Sequence, residues 1–372
     1  MAKQQYYSIK NILTSKSDYN LLLGERSNGK SYSVKYMALW QAYNECDYNE
    51  FLQSGKMKKI DCYEFAYLRR WRDEIKSQVV EKYFLDMPID KITNNEYTEI
   101  KFYRGDFYFA NSENGKTKRG KKIGSAFCLT GETHYKSLAF PKIGLVIFEE
   151  FLTKSGYLPH EVDNLYSIIS TIARRRYVAV FMIGNTINRM CPYFDEWQLT
   201  HVKKQKIGTI EIYNQQTNQF TENGEQITVK IAVEYCANSG NNSKMFFGNK
   251  AKNIVSGVWD SDEFPHLEKN LNRYNIYYRL KYEYNSFSFM VLLLKDEQKN
   301  VFLYCYPATE KSKYDRIVTD KHNIDKLSTL YLSNVTKYDS LIMELLNNNK
   351  IVFSDNLTGT EFNQIKKERG RY

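Results

Sequence analysis

Residues 21–31, Leu-Leu-Leu-Gly-Glu-Arg-Ser-Asn-Gly-Lys-Ser, constrain this chain more than any other stretch. An apolar run ends at a glycine, four polar residues follow, and Gly-Lys-Ser opens a segment with helical spacing. The order is strand, loop, helix, with the spacing Gly-x4-Gly-Lys-Ser/Thr in the loop. Glycines let such a loop curl until its N–H groups face a phosphate, and the following helix adds its positive end. On this reading Gly24, Glu25, Arg26, Ser27, Asn28, Gly29, Lys30, Ser31 and Tyr32 surround a nucleotide. Lys30 would reach the β- and γ-phosphates, and the Ser31 hydroxyl would ligate Mg²⁺. The alternative is a glycine turn that carries these letters by chance. Its place after a strand and before a helix argues against that.

A nucleotide machine needs acids beside the loop. Residues 142–151, KIGLVIFEEF, read as a buried parallel strand ending in two carboxylates. Ligands sit outside the carboxyl ends of such strands, so Glu149 is placed to hold Mg²⁺. Glu150 is placed to orient or deprotonate water. Residues 177–186, YVAVFMIGNT, give a second buried strand with Asn185 at its polar end, suited to sensing the γ-phosphate or capping a turn. Arg69 and Arg70 close an aromatic strand expected over residues 59–71 and would serve either nucleotide or DNA. Arg174, Arg175 and Arg176 end the helical run EVDNLYSIISTIARRR, as a solvated face or as groups reaching a neighbouring subunit.

The formal net charge of +10 suits a protein that meets a polyanion, although a solvated basic surface is the plainer reading. Residues 111–124 form a basic, glycine-bearing loop whose Lys116, Lys118, Arg119, Lys121 and Lys122 would lie on a DNA backbone or simply make an exposed basic hairpin. Arg72 and Lys136 complete the basic candidates for DNA. The six cysteines have no C-x-x-C spacing, so reduced core residues are expected rather than zinc or disulfides. No apolar run reaches the length of a membrane span and the start lacks a signal-peptide core, so no membrane role and a cytosolic site of action are expected.

A chain of 372 residues predicts two domains. Strands alternate with helices in the first half, giving an α/β domain over residues 1–238 that ends in an antiparallel ribbon at 208–235. Residues 99–110 predict a hairpin about Gly105-Asp106. A polar linker is expected over 239–272, followed by an α+β domain over 273–372. In that domain residues 276–284, 287–295 and 300–308 read as a strand meander, and 325–335 and 338–348 as helices.

Together the stretches GERSNGKSYSVK, YLRRW, HYKSLAFPKIGLVIFEEF, IGNTINRMCPYF and YRLKYEYNSFSF resemble the DNA-packaging (encapsidation) ATPases of small tailed phages with protein-primed linear genomes. The resemblance covers most of the chain. It implies a P-loop ATPase of the ASCE type, a homopentameric ring on the portal of an empty capsid that drives double-stranded DNA inward with ATP and Mg²⁺. A structural packaging RNA is a further implied partner. The implied location is the host cytoplasm, transiently at the portal vertex of the procapsid, and not the mature virion. Carried over by position, Lys30 and Ser31 are the phosphate-loop pair, Glu149 the metal acid and Glu150 the catalytic glutamate, while Arg174 is the best match to the arginine acting on the neighbour's site, with Arg175 the alternative. Glu149 stands where the family usually has Asp, which puts direct metal contact in doubt.

The second domain resembles an RNase H-like fold, a nuclease in larger packaging ATPases. Its strands at 287–294 and 300–308 carry no acid, and Asp296 and Glu297 fall in the turn between them, so a fold without nuclease metals is expected. The rival functions are a helicase-like remodelling ATPase and a small-molecule kinase, the latter a poor match to the basic charge.

Overall fold

The structure is a computed structural model that describes residues 6–153, 156–186, 189–221, 223–237, 262–268, 270–284, 287–319, 328–329 and 336–369. The chain divides into two compact units: Met1–Ile187 with Pro192–Val258, and Asn188–Cys191 with Trp259–Tyr372. Residues 238–261, most of the expected linker, lie outside the described residues.

The first unit is built on a nine-stranded mixed sheet. Its strands are β1 (Tyr19–Leu23), β2 (Glu64–Arg69), β3 (Glu99–Tyr103), β4 (Asp106–Glu113), β5 (Lys116–Cys128), β6 (Ile143–Glu149), β7 (Ala179–Ile183), β8 (Thr209–Phe220) and β9 (Gln226–Tyr235). Helices α1 (Lys10–Thr14), α2 (Lys30–Asn44), α3 (Tyr48–Ser54), α4 (Ser77–Tyr83), α5 (Ile89–Ile92), α6 (Glu132–Tyr135), α7 (Glu161–Ala173) and α8 (Pro192–Glu196) fall among them. The strand order is β3-β4-β5-β2-β6-β7-β1-β9-β8, and β2, β6, β7, β1 and β9 run parallel through its centre. Leu21, Leu22 and Leu23 of β1 and Val146, Ile147 and Phe148 of β6 are all fully buried. Each such side chain contributes about 1.5–3 kcal/mol by leaving water. That is why these runs carry no polar alternation.

Several local expectations shift. The strand expected over 59–71 begins only at Glu64, because Lys59 is bridged to Cys46 ahead of it. The hairpin at 99–110 turns on Arg104-Gly105, with Asp106 already paired to Tyr103. The basic segment 111–124 takes the hairpin alternative rather than a loop: β4 and β5 run through it and reverse on Asn114-Gly115, at φ 52° and 73°. Asn-Gly suits a two-residue turn that needs positive φ at both positions. The helix before the three arginines ends at Ala173, and Arg174 and Arg175 follow it in left-handed geometry, at φ 40° and 72°.

The second unit holds a six-stranded sheet of β10 (Asn275–Tyr284), β11 (Phe287–Lys295), β12 (Val301–Pro307), β13 (Arg316–Thr319), β14 (Ser328–Thr329) and β15 (Ile351–Phe353). Its order is β14-β13-β10-β11-β12-β15. The expected antiparallel meander is β10-β11-β12, and β13 lies parallel to β10. Helices α9 (Lys337–Asn347) and α10 (Asn356–Arg369) complete it. The helix expected over 325–335 is corrected at Ser328-Thr329, which pair with Ile317 and Val318 as strand; the rest of that stretch lies outside the described residues. Met190, from the short segment between β7 and α8, is buried in this unit's core beside Phe362 and Ile365. Arg189 donates to Glu361 at 2.7 Å.

Candidate nucleotide site

Residues 24–29 join the buried end of β1 to the first turn of α2. Gly29 takes φ 98°, a conformation that L side chains rarely adopt, and a Cβ there would come within 3.3 Å of the Tyr6 Cβ. Glu25, Asn28 and Lys30 are buried within the loop, whereas Arg26 and Ser27 are exposed. Lys30 Nζ donates to the Glu25 carbonyl at 2.5 Å and to Asn28 Oδ1 at 3.2 Å. Burial lowers the lysine's pKa, and Cys236, Glu149 and Glu25 work against that shift. The buried Asn28 Nδ2 has no hydrogen-bond partner among the described residues, and a Cβ on Gly24 would lie 3.5 Å from it. A buried donor without a partner is costly. This loop therefore suits an anion that takes up Asn28 and draws Lys30 off its carbonyl.

Backbone bonds gather the neighbouring strand ends around the loop. Gly184 N donates to Leu22 O at 3.0 Å, Thr186 N to Gly24 O at 3.2 Å, and Phe151 N to Ile183 O at 3.3 Å. Asn185, half-buried, is thereby pinned between the phosphate loop and the residues following β6. Glu149 Oε1 accepts from Tyr83 at 2.6 Å, and the Ser31 hydroxyl lies near enough to this carboxyl to favour its charged form. Burial raises the Glu149 carboxyl above its ordinary value, against those two hydroxyls and the charges of Arg69 and Lys35. Ser31 and Glu149 thus bring a hydroxyl and a carboxylate to one place, oxygen donors of the kind that fit Mg²⁺. The added methylene of Glu149 is accommodated by Tyr83, the last residue of α4, whose own hydroxyl is held neutral by burial and by the acid. No sequence signal marked Tyr83.

Glu150 stands one residue past β6 at φ 55°, which is strained for a residue with a side chain. Two adjacent arginines from the end of β2 hold it. Arg69 Nη2 donates to Glu150 Oε2 at 2.8 Å and to Glu74 at 2.5 Å. Burial opposes the Arg69 charge, but Tyr67, Glu74 and Glu150 outweigh it and its pKa rises. Arg70 faces the other way. It forms a two-pronged pair with Glu161, both bonds at 2.8 Å, and donates to the carbonyls of Glu150 at 3.1 Å and Phe151 at 2.7 Å. Glu161 also accepts from Leu158 N at 2.8 Å and Tyr193 at 2.9 Å. Arg70, left open between nucleotide and DNA by the sequence, is built into the wall behind Glu150.

The remaining candidates lie elsewhere. Arg174 donates to Leu138 O at 2.7 Å, and Arg176 to the carbonyls of Ile143, Phe140 and Ile172. Ile143 begins β6, so these arginines stand at the opposite end of that strand from Glu149. They do not serve the chain's own phosphate loop. Exposed Arg175 makes no hydrogen bond among the described residues. On the β4–β5 hairpin, Lys116 and Lys118 are exposed, whereas Arg119 lies 3.8 Å over the Tyr103 ring. Lys121 is paired with Glu45 at 2.6 Å and Lys122 with Asp106 at 2.9 Å, so neither is a freely offered charge. Arg72 and Lys136 are exposed, the latter 3.2 Å from Glu132. Tyr32 is exposed on the first turn of α2.

Comparison with known proteins follows the same lines. The description "Podovirus DNA encapsidation protein (Gp16)" matches residues 1–343. The DNA packaging proteins of Bacillus phage PZA and Bacillus phage phi29 are each 28% identical over 198 residues, covering 52% of this chain and 50% of the relative. The chain thus spans about half the length of the curated relatives it matches. In fold it is similar to a chain of the bacteriophage Phi-29 viral genome packaging motor assembly, with a TM-score of 0.52 and 20% identity over 98% of both chains. A Gly-x4-Gly-Lys-Ser loop, paired acids on the next strand but one, and a match over residues 1–343 lead to one assignment: the chain belongs to the podovirus DNA encapsidation protein (Gp16) family.

Proposed function

We propose that this chain is an ATP-driven motor that moves double-stranded viral DNA into an empty capsid through its portal. The observation that carries this is the gathering of Lys30, Ser31, Glu149 and Glu150 around one loop, in a chain of this family and of net charge +10. Lys30 and the loop N–H groups bind the phosphates. Ser31 and Glu149 hold Mg²⁺, which when bound offsets charge between the phosphates. Glu150 orients and deprotonates the attacking water once its carboxylate is released from Arg69, and Asn185 senses the γ-phosphate. The strand order β9-β1-β7-β6-β2, with the acids on β6, supports the ASCE type of P-loop ATPase.

Arg174 or Arg175 acts on the neighbouring subunit's site in a homopentameric ring. Lys116, Lys118 and Arg119 meet the DNA backbone without reading its sequence. The second unit is an RNase H-like domain without nuclease activity that binds DNA, a packaging RNA or the portal. Its meander with a parallel partner on β10 supports the fold. Asp296 is used to cap the β11–β12 turn by accepting from Asn300, and buried Asp339 pairs with Arg316 at 2.6 Å. The protein acts in the host cytoplasm and docks at the portal vertex of the procapsid.

ATP hydrolysis by the purified chain is expected to rise severalfold with empty capsids plus DNA over DNA alone. Equal stimulation by DNA alone would favour a helicase-like ATPase. Arg174→Ala and Arg175→Ala separate the finger assignment: the true finger variant binds ATP normally, fails in turnover, and regains hydrolysis when mixed with Glu150→Gln subunits. Wild-type turnover by both variants would remove the finger from this helix end.

A further inference from the structure

The phosphate loop has two flanks, and only one belongs to the phosphates' chemistry. Ser31, Glu149 and Glu150 lie toward β6, so the terminal phosphate faces that way. The nucleoside then leaves on the other flank, where β9 runs beside β1 with Glu234 opposite Leu22. Residues 6–9 are strapped across that flank. Tyr7 N donates to Asn28 O at 2.9 Å, and Ser33 Oγ donates to Tyr7 O at 2.7 Å. Tyr7 OH donates to Glu234 Oε2 at 2.7 Å. The strap is therefore bonded to the phosphate loop itself, to the first turn of α2 and to β9.

Glu234 is only 7% exposed and has no cationic partner among the described residues. Burial pushes its carboxyl up to about 7, and the hydrogen bond from Tyr7 only partly offsets this. A buried carboxyl without a counter-charge is unfavourable for folding. Its Oε1 makes no hydrogen bond among the described residues, so one acceptor stays open. Tyr6, the residue before Tyr7, is 56% exposed, and a Cβ on Gly29 would lie 3.5 Å from its ring. Cys236, buried and with its thiol pushed up by that burial, donates its N–H to Leu23 O at 2.8 Å and lies against Gly24.

We infer that Tyr6, Tyr7 and Glu234 form the base subsite of this nucleotide site, Tyr6 stacking on a purine and Glu234 Oε1 accepting from its exocyclic 6-amino group. The inference rests on the phosphate-loop reading above and adds the selection of base. An ionised carboxylate only accepts hydrogen bonds, so it takes a 6-amino purine and repels a 6-keto one. A glutamine turns either edge of its amide inward and takes both. The test is displacement of a ribose-labelled fluorescent ADP from the full chain by ATP and by inosine triphosphate, at pH 8 with Mg²⁺. Wild type is expected to prefer ATP by about tenfold or more, because the wrong base leaves a buried acceptor facing a carbonyl. In Glu234→Gln that ratio is expected to fall to within about threefold while both nucleotides still bind.

A wild-type ratio near one would overturn the subsite, whether or not the variant folds. So would a preference that Glu234→Gln leaves unchanged, since a merely structural tie would shift both nucleotides together. If wild type binds neither triphosphate, the phosphate-loop reading itself has failed, and the two failures are thus told apart.

Discussion

Glu150→Gln is expected to bind ATP within about twofold of wild type and to lose turnover by about 10²–10⁴-fold, the usual weight of a positioned general base. The amide keeps the size and one acceptor of the carboxylate but cannot take a proton. Its side chain is 62% exposed, so the fold is indifferent to the change. Stability should therefore move by less than about 0.5 kcal/mol. Nucleotide affinity by equilibrium titration and single-turnover hydrolysis decide the matter together. If affinity drops in step with rate, Glu150 is a binding residue and the water must be activated elsewhere.

Arg70→Ala is expected to be the most damaging single change to the folded chain that this site offers. It strands Glu161, whose side chain is fully buried, without its counter-charge. Breaking a buried pair from one side costs about 3–5 kcal/mol. It also releases the carbonyls of Glu150 and Phe151, which fix the left-handed turn that presents the Glu150 carboxylate. Chemical denaturation should show the loss against Glu150→Gln as the reference. The double variant Arg70→Met, Glu161→Leu should recover much of the stability but not the activity. Recovered activity would mean that the turn at Glu150 needs no such buttress.

Much of the site was legible because its parts are local. The glycine spacing of residues 24–31, the all-apolar runs of β1 and β6 and the acids at a strand end need only short-range physics. What the sequence left open depends on contacts between distant residues. Arg69 and Arg70 are neighbours in the chain, yet successive strand residues point to opposite faces. One therefore meets a carboxylate at residue 150 and the other an acid at residue 161. Tyr83 ends a short helix with no motif, and reaches Glu149 only through the tertiary fold. Tyr7 and Glu234 stand 227 positions apart, joined by the parallel pairing of β9 with β1. The basic stretch at 111–124 misled for the opposite reason. Its glycines and lysines look like a loop, but strand pairing overrides their weak propensity once Asn114-Gly115 supplies the reversal.

The excursion of Arg189–Cys191 into the second unit has a practical consequence for anyone cutting this protein apart. Because the chain visits the second unit between β7 and α8 and then returns, no single cleavage point yields two self-sufficient fragments. A piece ending near residue 258 would carry Met190 stripped of its cover and Arg189 without Glu361. Both lie within five residues of Asn185 in the chain. Truncation would thus leave a sticky bight only a few residues along the chain from Asn185. A workable excision must replace the bight as well as remove the tail, for example with Met190→Ser and Arg189→Ser.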